Sequence, residues 1–202
     1  MDRVNHARAH EVVSFESEEL ILVDENDNPT GVSSKADCHD GDGELHRAFS
    51  VFVFNGKGEL LLQQRSADKR LWPLFWSNSC CSHPRNGESM DVAVFRRLEQ
   101  ELGIRCELEF VYKFKYHARY GSEGSEREYC WVYVGTTEDP VRANDTEVAE
   151  WRFVKPEALD DELERQPDRF TPWMKMEWAR LRSEYVSALD AAITGETAGR
   201  AG

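Results

Sequence analysis

Between Trp72 and Gly103 the chain reads WPLFWSNSCCSHPRNGESMDVAVFRRLEQELG, and no other stretch narrows the possible folds as far. A turn of small residues carrying cysteine and histidine leads into a helix with acidic residues at its far end. The turn is polar and lies between apolar segments, so an exposed loop is expected there. The helix should begin near Gly87 to Ser89, where a glycine or an N-cap side chain can satisfy orphan backbone N–H groups. Val92, Phe95, Leu98 and Leu102 fall three or four apart and predict one core-facing stripe, with Arg97 and Glu101 on another face.

That loop and helix resemble the Nudix box, Gly-x5-Glu-x7-Arg-Glu-U-x-Glu-Glu-x-Gly-U, where U is a bulky aliphatic. Laid on this chain the pattern begins at Ser82 and finds Glu88, Arg96, Leu98, Glu101, Gly103 and Ile104. Ser82 replaces its first glycine, Arg97 its first helix glutamate after the arginine, and Gln100 one of the paired glutamates. In Nudix hydrolases those carboxylates gather magnesium ions around a diphosphate. The resemblance therefore implies a Nudix helix without most of its hydrolytic cluster, Glu101 alone remaining.

Length and composition bound the rest. At 202 residues with 40% hydrophobic content, a single domain with one substantial core is expected. A net charge of −13 argues against non-specific nucleic-acid binding and means an anionic substrate needs a local cluster of cations. Five cysteines, without the spacing of a disulfide framework, predict reduced thiols and a cytoplasmic setting. No run suggests a signal peptide or a membrane span. Residues 1–18 are expected to be an N-terminal arm of possible flexibility, 19–190 the folded domain, and 191–202 a frayed tail.

Along the chain, Glu19 to Asp24 predicts a strand and SSKADCHDGDGELH a polar loop. Arg47 to Asn55 is apolar on both faces, as a buried central strand is, and Asn55 to Gly58 should turn into a second strand over Glu59 to Gln64. Phe110, Tyr112, Phe114 and Tyr116 alternate along one face of a strand over Glu107 to Tyr116. The next strand, Glu126 to Val134, sets Glu126, Glu128, Cys130 and Val132 opposite Tyr129, Trp131 and Tyr133. Glu147 to Val154 predicts a further strand and Pro156 a short helix. Thr171-Pro172 opens a last long helix with a buried stripe of Met174, Trp178, Leu181, Tyr185 and Leu189, Trp173 lying off it at the exposed start.

Two carboxylates on an otherwise apolar strand face are costly unless compensated. A metal site of His39, His46, His83, Glu126 and Glu128 would compensate them. Three imidazoles and two carboxylates suit Mn²⁺, Mg²⁺ or Zn²⁺ without singling one out; any one of these histidines alone is ordinarily a hydrogen-bonding residue. Lys35, Arg65, Lys69 and Arg97 could hold a diphosphate, with Glu101 carrying a Mg²⁺ that bridges its oxygens. Cys81, expected in a polar turn near cations, could have a lowered pKa, and Cys80 should point the opposite way.

Four stretches, KADCHDGDGELHRAF, RSADKRLWPLFWSNSCCSHP, SEREYC and FTPWMKM, follow one another in the order of the type 1 isopentenyl diphosphate isomerases, which the chain resembles from about Glu19 to Leu189. The resemblance implies an α+β, Nudix-like fold with a mixed β-sheet core flanked by helices. It implies an isomerase of isoprene biosynthesis that moves a double bond between isopentenyl and dimethylallyl diphosphate. Cys81 and Glu128 would then be the acid/base groups, Glu128 touching the metal as well. Tyr116 would assist Glu128, Trp173 would stack on a carbocation-like centre, and Trp76 would join these two in an aromatic pocket. The implied partner is a small isoprenoid diphosphate, with no nucleic acid and no membrane, and the implied assembly a monomer or weak homo-oligomer. Two rivals remain: a Nudix pyrophosphohydrolase, opposed by Arg97 and Gln100, and a non-catalytic binding module, opposed by the retention of Cys81, Glu128 and the histidines.

Overall fold

A computed structural model describes residues 10–195; the end of the expected tail, 196–202, and the start of the arm lie outside the described residues. The organising strand is β3, His46–Asn55, buried over nearly its whole length. Its period of two feeds two cores. Phe49, Val51 and Val53 point to one side and Ala48, Phe52 and Phe54 to the other. On one edge β3 pairs in parallel with β8, Gly124–Thr137, from His46 opposite Glu128 to Asn55 opposite Thr137. On the other it pairs antiparallel with the short β6, Cys80–Ser82, setting Ser50 opposite Cys81.

The rest of the mixed sheet extends from these strands. β1 (Glu19–Val23) and β2 (Pro29–Ser34) form a hairpin beside the start of β3. β4 (Leu60–Arg65) follows β3 through a turn closed by Gly58 N–H donating to Asn55 O, and pairs with β5 (Trp76–Ser77) and β9 (Val148–Val154). β7 (Leu108–Tyr120) returns against β8 as a long hairpin. With helices on both sides, the predicted α+β architecture is observed.

Several expectations are corrected by packing. The 34–39 region is not all loop: Ser34 caps a short helix α1, Lys35–His39, its hydroxyl accepting from Asp37 N–H at 3.1 Å. One turn is too short to leave a hydrophobic period. Helix α2, Met90–Leu102, is capped by Ser89 as expected, but Val92 and Phe95 are exposed. The buried face holds Ala93, Val94, Arg97, Leu98, Glu101 and Leu102, because an ion pair shares the inner face with the aliphatics. Each fully buried leucine on it stabilises by about 2 kcal/mol. On β7 a bulge between Phe110 and Tyr112 adds one residue and turns Phe110 to the opposite face, against Trp131 and Tyr133.

The last helix is two. α3 (Pro156–Arg165) leads through a 3₁₀ turn at Pro167–Arg169 to α4, Pro172–Ser183, which breaks at Glu184 before α5, Val186–Thr194. α5 therefore continues past residue 190, the expected end of the domain. Trp173 is 3% exposed, packed edge-on to Trp72 instead of facing solvent. Two glycines are required by close approach. A Cβ on Gly103, at φ +66°, would stand 2.9 Å from Arg142 Cβ, and one on Gly124 2.3 Å from His39 O. The second contact seats the end of α1 on the start of β8.

Candidate metal and acid/base site

The register just described delivers the polar residues to one place. His39 ends α1, His46 begins β3, His83 follows β6, and Glu126 and Glu128 alternate along β8. One ligand atom from each of the five lies within 4.8 Å of every other. Glu44 O and Lys35 O each accept from an imidazole Nδ1–H, of His46 and His39 respectively, both at 2.7 Å. Those bonds fix the tautomers and leave each Nε2 as a lone pair. His39 Nε2 stands 2.8 Å from Glu126 Oε2, yet both atoms are buried without an aligned hydrogen bond, as is His46 Nε2. Buried, unpartnered acceptors that converge on one point fit a bound cation.

Electrostatics in this cluster follow from burial and crowding. Burial and the adjacent Glu126 push Glu128 well above the usual carboxylate range. Burial pulls His46 down to about 4 and His83 well below its usual value, so both are neutral at pH 7. His83 Nε2 lies 3.0 Å from Glu128 Oε1, and the Tyr116 hydroxyl, opposite Glu128 in the β7–β8 ladder, donates to Glu128 Oε2 at 2.7 Å.

Cys81 is not in an exposed turn. The segment from Trp76 to Ser82 folds as two short strands, buried or half-buried throughout, because Asn78 and Ser79 side chains bind the backbone of β3 and β4. The thiol donates to Asn78 Oδ1 at 2.8 Å and accepts from Trp173 Nε1 at 3.1 Å. Burial, with Glu177 next, pushes it up to about 12, opposite to the lowered value expected from nearby cations. Such a group is a neutral proton donor. Cys80 points away, into the core under α2, as alternation requires.

A cavity of about 200 Å³ joins these groups. Cys81, Glu128, Tyr116 and Trp173 line it together with all four expected cations. Lys35 Nζ donates to Ser14 Oγ at 2.6 Å, and the Arg65 guanidinium donates to Leu71 O and Trp72 O while lying 5.2 Å over the Trp173 ring. Those bonds hold a loop in which Trp72 and Leu74 have φ of +47° and +61°, a conformation costing about 1–3 kcal/mol each. Trp76 does not join the aromatic wall; it is buried outside the cavity under Arg152, and Trp72 backs Trp173 instead.

Glu101 stands apart from the five ligands. Its Oε1 accepts from Arg97 Nε at 3.0 Å and Nη2 at 2.7 Å, and its Oε2 from Gln63 at 3.3 Å. Sequence reasoning missed Glu147, which pairs with both Lys69 and Arg97. Preceding a strand, it carries no local signal. The arm was also under-read: Arg97 Nη1 donates to Val13 O at 2.9 Å, and Val12, Ser14 and Glu16 line the cavity.

Known proteins resemble this chain over most of its length. The family model of the NUDIX domain matches residues 44–174. Isopentenyl-diphosphate Delta-isomerase 1 of Photorhabdus laumondii is 43% identical over 174 residues, spanning 85% of this chain and 99% of that protein. The isopentenyl-diphosphate Delta-isomerase of Nocardia farcinica is 39% identical over 180 residues, spanning 89% and 98%. Among solved structures, one from Deinococcus radiodurans superposes with a TM-score of 0.61 at 20% identity, covering 74% of this chain and 90% of that one. A MutT protein from Methanosarcina mazei gives 0.58 at 19%, covering 70% and 95%. At such identities the structural likeness carries the fold alone.

Proposed function

The chain belongs to the isopentenyl-diphosphate Delta-isomerase family within the Nudix fold and catalyses that interconversion with dimethylallyl diphosphate, and we propose that Cys81 and Glu128 are the acid/base pair that moves its two protons. Forming the dimethylallyl isomer adds a proton to the terminal methylene and removes one from the carbon between the branched carbon and the diphosphate-bearing methylene, so the double bond moves inward by one bond. The atoms balance: one proton in, one proton out.

The observation that carries the assignment is the approach of the two groups from the two edges of β3. β6 brings the thiol and β8 the carboxylate to a single cavity. An alkene is a weak base, so its protonation needs a donor held close and water kept out. Cys81 is half-buried and protonated, and Tyr116 orients Glu128 through its 2.7 Å bond. Trp173, fixed by its N–H to the Cys81 sulfur, offers a ring face to positive charge developing at the branched carbon, a contact worth about 1–2 kcal/mol when desolvated. Lys35, Arg65, Lys69 and Arg97 supply the charge that a diphosphate requires.

His39, His46, His83, Glu126 and Glu128 would hold Mn²⁺, Mg²⁺ or Zn²⁺; when bound, such an ion supplies the positive charge that lets two buried carboxylates lie side by side. Glu101 would hold the second ion, Mg²⁺: both Arg97 bonds end on its Oε1, while Oε2 accepts from Gln63 at 3.3 Å and keeps a lone pair for a cation.

Incubation of the protein with Mg²⁺ and isopentenyl diphosphate in deuterated water, followed by NMR, tests the reading. Deuterated dimethylallyl diphosphate from the wild type and none from Cys81→Ala is expected. Isomer formed at the wild-type rate by the variant would remove Cys81 from its role, and phosphate released without isomer would overturn the isomerase.

A further inference from the structure

Cys81 lines the cavity, and four polar side chains meet its sulfur: Asn78 Oδ1 at 2.8 Å, Trp173 Nε1 at 3.1 Å, and the hydroxyls of Ser50 and Ser77, each at 3.7 Å. Ser77, on β5, is fully buried, and the proton transfers above do not use it. Its oxygen makes three further contacts. Trp173 Nε1 donates to it at 3.0 Å, Thr171 Oγ1 lies 3.1 Å away, and Ser77 is placed to donate to Asn78 Oδ1 at 3.0 Å. The Asn78 amide has one orientation, because Nδ2 donates to Val51 O and Cys80 O, both at 3.1 Å. Its Oδ1 therefore stays aimed at Cys81 and Ser77.

Counting protons gives each bond its direction. Thr171 is the N-cap residue of α4, yet its side chain makes no capping bond, and Ser77 Oγ is the partner of its hydroxyl among the described residues. The buried Thr171 proton therefore goes to the Ser77 oxygen. With the Trp173 N–H on the same oxygen, both lone pairs of Ser77 are filled and its own proton points elsewhere. Two acceptors remain for it, Asn78 Oδ1 and Cys81 Sγ. While Cys81 is a thiol, the carbonyl oxygen at 3.0 Å is the better of the two. A sulfur that has given up its proton is an ionised acceptor and binds a donor more strongly than a neutral carbonyl does.

We propose that Ser77 is a positioning residue whose hydroxyl turns from Asn78 Oδ1 to the Cys81 sulfur as Cys81 gives its proton to the alkene, and turns back when that proton returns. The Ser50 hydroxyl already donates to the neutral thiol, whereas Ser77 adds its bond only after the transfer, so it favours the charged state over the resting one. Thr171 keeps the Ser77 proton available by filling the Ser77 oxygen instead of capping its own helix. No covalent O–H bond breaks; the Ser77 proton stays on its oxygen and only its direction changes. The inference rests on the reading that Cys81 exchanges a proton with the substrate.

Steady-state kinetics with isopentenyl diphosphate and Mg²⁺ on Ser77→Ala, Ser77→Thr and Ser77→Val test it. Ser77→Ala removes the donor, so kcat should fall about tenfold, the lower end for one hydrogen bond to a charged group, with KM little changed. Threonine and valine add the same bulk to this buried position and differ in one hydroxyl, so Ser77→Thr should exceed Ser77→Val in kcat by about tenfold. Alkylation of Cys81 by iodoacetamide, at one fixed pH with Mg²⁺ present and read by mass spectrometry, supplies a sign that loosened packing does not imitate. Loss of a thiolate donor should slow it about threefold in Ser77→Ala, the factor being smaller because a more basic thiolate is the better nucleophile. Water admitted by loosened packing would speed it. Wild-type kcat in Ser77→Ala, equal kcat in Ser77→Thr and Ser77→Val, or faster alkylation in Ser77→Ala would each overturn the proposal. If Ser77→Ala does not fold, the comparison of Ser77→Thr with Ser77→Val decides alone. A wild type that forms no isomer overturns the isomerase reading and this inference with it, whereas an active wild type beside equally active Ser77→Thr and Ser77→Val variants overturns the inference alone.

Discussion

Replacing Glu147 by glutamine tests how the cationic side of the cavity is held together. Glu147 is 4% exposed and accepts from Arg97 Nη2 at 2.9 Å and from Lys69. Breaking a buried ion pair by removing one partner costs about 3–5 kcal/mol. Arg97 keeps Glu101, so the lower end, about 3 kcal/mol, applies here. For a chain of this size 1 kcal/mol moves Tm by about 2–4 °C, which places the variant about 6–12 °C below the wild type at pH 7. Although burial opposes it, the neighbouring Lys69 and Arg97 hold the Glu147 carboxyl below its ordinary value. A depressed carboxyl contributes stability that is full above the unfolded pKa, about 4.3, and is lost as pH falls through the folded one. The gap between wild type and variant should therefore close in acid and be constant above about pH 5.5. Inorganic diphosphate supplies the missing countercharge, so saturating diphosphate should raise the Tm of Glu147→Gln more than that of the wild type. Thermal unfolding followed by circular dichroism from pH 3.5 to 7.5, with and without diphosphate, reads all three. An equal Tm at pH 7, or a gap that widens in acid, would refute the reasoning.

Other expectations follow from the same geometry. Trp173→Leu should lower kcat about tenfold, the worth of a desolvated cation–π contact, while Trp173→Phe, which keeps a ring but loses the N–H to Cys81, should fall between the two; turnover assays rank them. Gly124→Ala pushes a Cβ to 2.3 Å from His39 O at a φ of +150°, so α1 must shift and Mn²⁺ affinity measured by titration calorimetry should drop more than tenfold. Chelation should lower Tm in the wild type and leave a Glu126→Ala/Glu128→Ala variant unmoved, since removing the two buried carboxylates removes the need for the ion. An identical chelator response in both would argue against the five-residue site.

Where the chain signals structure over short range, the sequence could be read directly. A run apolar on both faces marked β3, and alternation marked β8 and set Glu126, Glu128 and Cys130 on one face. Ser89 and Gly103 bounded α2, and Asn55 to Gly58 marked the turn between β3 and β4. Four ordered stretches were enough to point to the family. Short-range patterns misled where burial was polar. The inner face of α2 carries Arg97 and Glu101, so exposed Val92 and Phe95 looked like the stripe.

The sequence by itself determined the strand and helix types, the family and the kinds of residue available for proton transfer and metal binding, because these depend on composition and on spacing of a few residues. Tertiary structure alone decided which of them meet. The five metal-ligand candidates come from α1, β3, β8 and the segment after β6, and converge only when β3 pairs with β8 in one register and β6 closes the other edge. Burial, a property of the whole packed molecule, turned Cys81 from an expected low-pKa thiol into a neutral donor, seated Trp173 inside the cavity and brought Glu147 to Lys69 and Arg97. Desolvation depends on everything that surrounds a side chain, and no local run of residues encodes it.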